Sequence, residues 1–176
     1  MILNHRAIKP NYVAIKYWAN TLLGLVIVGT SVTYFTERYK ISFPTQGMGC
    51  LKANFYLIDT WDKKIERGEL AAFKFPVEGN KFITYEQPFI KIIGAKSGDR
   101  VNQTLTHYSV NENKTQLDIS MSSLERNDMT PEDVIKTFTV PNGMFFGVGE
   151  TALSFDSRYW GMIPESKIMG QAYAIL

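Results

Sequence analysis

Cysteine is almost absent from this chain: Cys50 is the single one among 176 residues. That excludes a disulfide framework within the chain and a cysteine-rich zinc site. Histidine is nearly as scarce. His5 and His107 stand far apart, so neither a histidine metal site nor any cofactor is expected. Charge of one sign is also lacking. The 19 Lys and Arg balance 17 Asp and Glu to a net charge of +2, with no basic cluster, so nucleic acid is not an expected partner. There is no internal repeat and no low-complexity segment.

What the chain does have is apolar residues, 45% of the total, enough for the core of one domain with an appendage. Residues 17–35, YWANTLLGLVIVGTSVTYF, carry no formal charge, and about 20 such residues cross a bilayer as a helix. Tyr17 and Trp18 at one end and Tyr34 and Phe35 at the other suit the two interfaces. Residues 1–16 hold His5, Arg6, Lys9 and Lys16 and no acid, which predicts a cytoplasmic N-terminus. The remainder would then lie outside the inner membrane, in the periplasm of a Gram-negative cell. A cleaved signal peptide is the rival reading. No small-x-small cleavage site follows the run, and the run is long, so an uncleaved single-pass anchor is expected. The expected organisation is a cytoplasmic N-terminus at 1–16, an anchor at 17–35 and a periplasmic domain at 36–176.

Residues 36–49 read as a connector with Pro44, Gly47 and Gly49. Beyond it the text is strand-like. Apolar runs at 55–58, 70–75 and 89–93 and an alternating stretch at 104–110 predict strands, separated by Gly- and Asn-rich turns. Segments 137–140 and 144–148 flank a Pro-Asn-Gly turn and read as a hairpin. Thr130-Pro131-Glu132-Asp133 predicts a helix start, with an N-cap, a proline and first-turn acids, running to about Lys136. The expected fold is mostly β, with one N-terminal transmembrane helix and a short surface helix. Taken singly, Cys50 reads as a buried filler, Lys91 as an edge-strand lysine and His107 as a strand surface residue.

The stretch LSFDSRYWGMIPESKIMGQA, residues 153–172, resembles the last box of type I signal peptidases, S-x-D-S-R-x-x-G-x-V-P-x-x-x-I-x-G-x-A. Ser154, Asp156, Ser157, Arg158, Gly161, Pro164, Ile168, Gly170 and Ala172 fall at the family's spacing. FIKIIGAKSGDRV resembles the lysine box, K-R-x-x-G/A-x-x-G-D-x-V, with Lys91, Gly98, Asp99 and Val101 in place and Ile92 where the arginine stands. VPNGMFFGVGE resembles the strand before the final box. Glu150 replaces its usual acid, and the connection to Ser154 is a residue short. The text from Cys50 to Leu57 corresponds to the nucleophile box, written S-L-P-x-x-L-F/Y in the conjugative-transfer branch. Cys50 occupies the serine's place and Lys52 the proline's. IERGELAAFKF and the small size also resemble that TraF-like branch, which lacks the large extra β-domain of general leader peptidases.

The resemblance implies a signal-peptidase-like β-domain and a catalytic dyad of Cys50 and Lys91. A lysine accepts a proton only as the neutral amine, and burial among apolar groups disfavours its charged form. A thiol eases the demand, because its thiolate is intrinsically nucleophilic, and the two groups could also form a thiolate–ammonium pair. The Cys50 backbone N–H would be an oxyanion donor. The side-chain hydroxyl often found two residues earlier is replaced by Met48. Ser154 would orient the lysine, while Asp156, Arg158 and Asp99 would support the site. Gly47, Met48, Gly49 and Phe89 would line a groove in which an extended peptide adds as a strand.

The implied function is processing of a pilin precursor for a conjugative type IV secretion system, by hydrolysis or by cyclisation. The implied partners are that precursor, the lipid bilayer and other conjugation components. A thiol at this post is native chemistry, a substitution for serine, or the mark of a retired site. The last would make the chain an inactive homologue serving as a secretion-system assembly component. A sortase-like transpeptidase would also join a membrane anchor to a β-domain with one cysteine. There, however, the histidine precedes the cysteine, whereas His107 follows Cys50.

Overall fold

A computed structural model describes residues 12–43 and 50–175. The chain divides into two units, one ending at Arg38 and one beginning at Tyr39. The first contains helix α1 (Tyr12–Arg38), which continues the expected apolar run at both ends. Residues 14–38 are long and apolar enough to cross a membrane. Leu22, Leu25, Ile27, Val28, Val32 and Phe35 are all exposed, so the apolar surface runs around the helix and not along one stripe. The hydroxyls of Thr21, Thr30, Ser31, Thr33 and Thr36 each donate to the carbonyl four residues earlier. Those bonds satisfy the polar side chains internally, as hydrocarbon surroundings demand.

The second unit is mostly β. Its strands are β1 (Tyr39–Ser42), β2 (Tyr56–Asp59), β3 (Leu70–Lys74), β4 (Pro88–Lys96), β5 (Arg100–Gln103), β6 (His107–Val110), β7 (Asn113–Gln116), β8 (Lys136–Thr139), β9 (Met144–Val148), β10 (Ile163–Pro164) and β11 (Ile168–Ala174). Short helices α2 (Met121–Arg126), α3 (Pro131–Val134) and α4 (Ser157–Trp160) lie between them. Among the described residues the strands form two antiparallel sheets. The larger has the order β1-β2-β11-β3-β4-β9-β10 and the smaller β7-β6-β5-β8.

Alternation along the central strands builds the core on both faces of the larger sheet. Phe89 and Ile93 of β4 join Phe73, Phe75, Phe145 and Ile163 on one side. Ala95, Phe146 and Val148 meet Val101, Tyr108 and Val110 of the smaller sheet on the other. The crossing between sheets is made at Gly98, whose φ of 87° suits a residue without Cβ. Its N–H donates to the Val140 carbonyl, and the Val140 N–H donates to the Asp99 carbonyl.

Four expectations need correction. Segments 137–140 and 144–148 do not pair as a hairpin. β8 pairs with β5 in one sheet, and β9 pairs with β4 and β10 in the other. The bonds of Val140 to Gly98 and Asp99 hold the end of β8 against the β4–β5 turn. The apolar faces then meet across the core, with the Phe138 and Phe146 rings 5.6 Å apart. Stretch 104–110 is not one strand either. Thr104 N–H donates to the His107 carbonyl at 2.9 Å, closing a tight turn between β5 and β6. His107 Nδ1 lies against Thr104 Oγ1 and Thr106 Oγ1 in that turn. Finally, the connector 36–49 contains strand β1. The helix expected at Thr130 forms as α3 but stops at Val134, because Lys136 opens β8. The Asp133 carboxylate accepts from the Thr130 N–H at its start.

Candidate active site

Lys91 lies on β4 between Phe89 and Ile93 in the row that faces the core. A lysine in that row is forced inside, and it is 1% exposed. Its alkyl stem finds room because Gly147 stands opposite. A Cβ on Gly147 would come within 3.2 Å of Lys91 Cβ and 2.7 Å of Ile163 Cδ1. Lys91 Nζ lies 5.1 Å from the centre of the Phe89 ring and donates to Ser154 Oγ at 3.1 Å. Among the described residues no carboxylate forms an ion pair with it.

Ser154 is held by the turn that follows β9. Its N–H donates to the Thr151 carbonyl, and its own carbonyl accepts from Arg158 Nη2. Gly149 lies directly against it: an added Cβ would fall 2.0 Å from Ser154 Oγ. Asp156 caps α4 by accepting from the Arg158 N–H, and it also accepts from the Gly149 N–H at 2.8 Å. Asp156 and Arg158 form an ion pair at 2.8 Å, with both side chains fully buried. Such a pair is tolerable only when its remaining donors are satisfied. Arg158 meets that condition by donating to the carbonyls of Leu117, Asp118, Thr151 and Ser154. Burial works against its charge, but Asp156 outweighs this and holds the guanidinium pKa above its ordinary value.

Cys50 is half-buried and unpaired. Its carbonyl accepts from the Glu150 N–H at 2.8 Å and lies 2.7 Å from where a Gly149 Cβ would be. The chain at Cys50 and the Lys91–Ser154 pair therefore meet at Gly149, with Glu150 next to it bonding the Cys50 side. The Lys52 N–H donates to Glu150 Oε2 at 2.6 Å. Buried Tyr56 hydrogen-bonds the Ala53 backbone. Burial pushes its phenol up, the Ala53 bond opposes this, and the Glu150 charge adds to the rise. The arrangement offers one thiol, one buried amine with a hydroxyl partner, and a rigid ion-paired base beneath them. Those are the parts a thiol nucleophile and a proton acceptor require.

The expected site residues are therefore partly gathered. Cys50, Ser154 and Asp156 meet at Gly149, and Lys91 and Arg158 are each bonded to Ser154. Asp99 lies at the β4–β5 turn, where it accepts from the Lys96 N–H and Asn111 Nδ2. Phe89 is 4% exposed and packs against Phe73 and Phe75 in the core. Gly47, Met48 and Gly49 lie outside the described residues. Sequence reasoning missed Gly147, Gly149 and the contacts of Glu150. A glycine alternating with apolar residues at the end of a strand, G-V-G, was the available signal for the first two.

A family model described as signal peptidase, peptidase S26, matches residues 14–176. The probable signal peptidase I-2 of Synechocystis sp. is 29% identical over 109 residues, which cover 61% of this chain and 46% of that protein. The chain thus spans about half the length of that curated relative. A crystal structure of a signal peptidase I from Enterococcus faecalis V583 is 25% identical, with a TM-score of 0.42, covering 62% of this chain and 97% of that one. With the family model matching nearly the whole of its length, this chain belongs to the signal peptidase, peptidase S26, family.

Proposed function

We propose that the chain is a membrane-anchored peptidase that cleaves precursor proteins with a Cys50–Lys91 dyad. The observation that carries the proposal is the buried Lys91–Ser154 hydrogen bond, 3.1 Å long, beside the Cys50 carbonyl at Gly149 and Glu150. In this reaction Cys50 Sγ attacks the scissile carbonyl carbon, and the thiol proton passes to Lys91 Nζ. The Cys50 backbone N–H donates to the developing oxyanion. Collapse of the tetrahedral intermediate breaks the C–N bond. Lys91 returns the proton to the leaving amine, and the acyl group stays on sulfur as a thioester. Water then attacks the thioester and releases a free carboxylate. If a precursor's own amino group attacks instead, the product is cyclic. Ser154 holds the amine in place by its hydrogen bond, and Asp156 and Arg158 hold Gly149 and Ser154 in place.

The finer reading is a pilin precursor as substrate and a conjugative type IV secretion system as setting, with the domain in the periplasm. It draws support from the text at 50–57 and 65–75, which resembles the TraF-like branch apart from Cys50 and Lys52. The test is mass spectrometry of a co-expressed pilin precursor with the unaltered chain, Cys50→Ala and Lys91→Ala. The expected result is mature pilin from the unaltered chain and uncleaved precursor from both variants. A product lighter by one water than cleaved pilin identifies cyclisation. Mature pilin from both variants would overturn the dyad and favour the assembly-component reading.

A further inference from the structure

Residues 50–54 lie outside every strand and helix, so no sheet ladder fixes the direction of the Cys50 side chain. Glu150, from the far side of the sequence, grips this segment twice. Its N–H donates to the Cys50 carbonyl at 2.8 Å, and its carboxylate accepts from the Lys52 N–H at 2.6 Å. We propose that Glu150 is a positioning residue for the Cys50 thiol, clamping Cys50 and Lys52 together against the turn that carries the lysine's partner. The inference rests on Cys50 being the nucleophile, as proposed above.

One hydrogen bond acts as a hinge. Two bonds from one residue to groups two positions apart also fix the rotation of the segment, and with it the Cα–Cβ direction at Cys50. The second bond is charge-assisted and short, the stronger kind. The clamp is itself anchored: the adjoining Gly149 donates its N–H to Asp156 and packs against Ser154. The Cys50 segment and the partner of Lys91 are thus held from adjacent residues, Glu150 and Gly149.

Position 52 explains why this chain needs the device. The motif that this segment resembles carries proline there. Proline has no N–H to donate and holds the backbone by its ring. Lysine brings back an N–H and loses the covalent constraint, and the Glu150 carboxylate receives that N–H. The two departures from the motif, Lys52 and Glu150, therefore complete each other. The φ of Lys52 is not positive, so a proline is compatible with its side of backbone space.

Because Cys50 is the only thiol in the chain, its alkylation by iodoacetamide reports on this segment alone and needs no substrate. The experiment measures that rate, together with cleavage of the pilin precursor, in the detergent-solubilised full chain. The variants are Glu150→Ala, Glu150→Gln, Lys52→Pro and the double variant Lys52→Pro/Glu150→Ala, with thermal melting as a folding control. Glu150→Ala should slow cleavage about tenfold and change the alkylation rate severalfold in the Lys52 chain, yet change neither beyond about twofold in the Lys52→Pro background. Glu150→Gln, which keeps an acceptor, should stay within about threefold of the unaltered chain. If Lys52→Pro does not fold, the Gln-versus-Ala contrast in alkylation remains decisive. Equal losses in both backgrounds, or no loss from Glu150→Ala, would overturn the proposal. Inactive Cys50→Ala with a background-independent Glu150 effect rejects the clamp alone. Active Cys50→Ala rejects the nucleophile assignment, and the clamp's purpose with it.

Discussion

Lys91 Nζ donates to Ser154 Oγ at 3.1 Å between side chains that are 1% and 0% exposed. Water cannot readily replace either partner. Ser154→Ala should therefore leave the amine without its hydrogen bond, at a cost of about 1–3 kcal/mol. Expressed in the transition state, that is a loss of roughly ten- to a hundredfold in kcat. Steady-state cleavage of the precursor checks it. KM should move little, because Ser154 is fully buried.

Gly149→Ala should be more damaging than an exposed glycine substitution. The new methyl would overlap Ser154 Oγ, Ser154 Cβ and the Cys50 carbonyl. Either Ser154, the hydrogen-bond partner of Lys91, or the Cys50 segment must move, and the proposed dyad depends on both. The expected outcome is loss of cleavage with the domain still folded, read from activity and circular dichroism together. Gly143→Ala is the contrast, since its Cβ would meet nothing within 4 Å. There only the positive φ of 73° opposes the change, a matter of roughly 1 kcal/mol in stability.

Arg158→Met should destabilise the whole domain. It strands the Asp156 carboxylate in the interior and removes the guanidinium from the carbonyls of Leu117, Asp118, Thr151 and Ser154. Breaking one side of a buried pair costs about 3–5 kcal/mol. In a domain of this size that lowers the melting midpoint by roughly 10 °C. The midpoint by differential scanning calorimetry checks it. Replacing Asp156 and Arg158 together by apolar residues should cost less than the single change.

Glu86 supplies a pH dependence. Hydrogen bonds from Lys167 and then Lys74 hold its carboxyl below the usual value. A depressed acid stabilises the fold above its unfolded pKa, and that contribution is lost as pH falls through the lowered folded value. The melting point of the unaltered chain should thus exceed that of Glu86→Gln slightly at neutral pH. The difference should vanish in acid below the ordinary carboxylate range. An unchanged difference across that range would contradict the ion-pair origin.

Much of the site could be read from the sequence because its parts are local. Ser154, Asp156, Ser157 and Arg158 lie within one turn and the start of α4, and Lys91 sits at a set spacing before the Gly98 turn. Short spacings of this kind survive as text. The hairpin expected around Pro141-Asn142-Gly143 failed for the opposite reason. A turn signal says that the chain reverses, but not whether the flanking strands pair with each other or with partners far earlier in the chain. β8 chose β5, and β9 chose β4.

By itself, the sequence determined the long apolar N-terminal helix, the strand-rich character of the remainder and the residues of the proposed dyad. Hydrophobic periodicity and short spacings are local properties and need no partner to be legible. The tertiary structure alone decided that Lys91 is buried opposite Gly147, that Gly149 leaves space for both Ser154 and the Cys50 carbonyl, and that Glu150 bonds a backbone N–H 98 residues earlier in the chain. Those relationships depend on which atoms close packing brings together. No periodicity along the chain encodes a contact between segments so far apart.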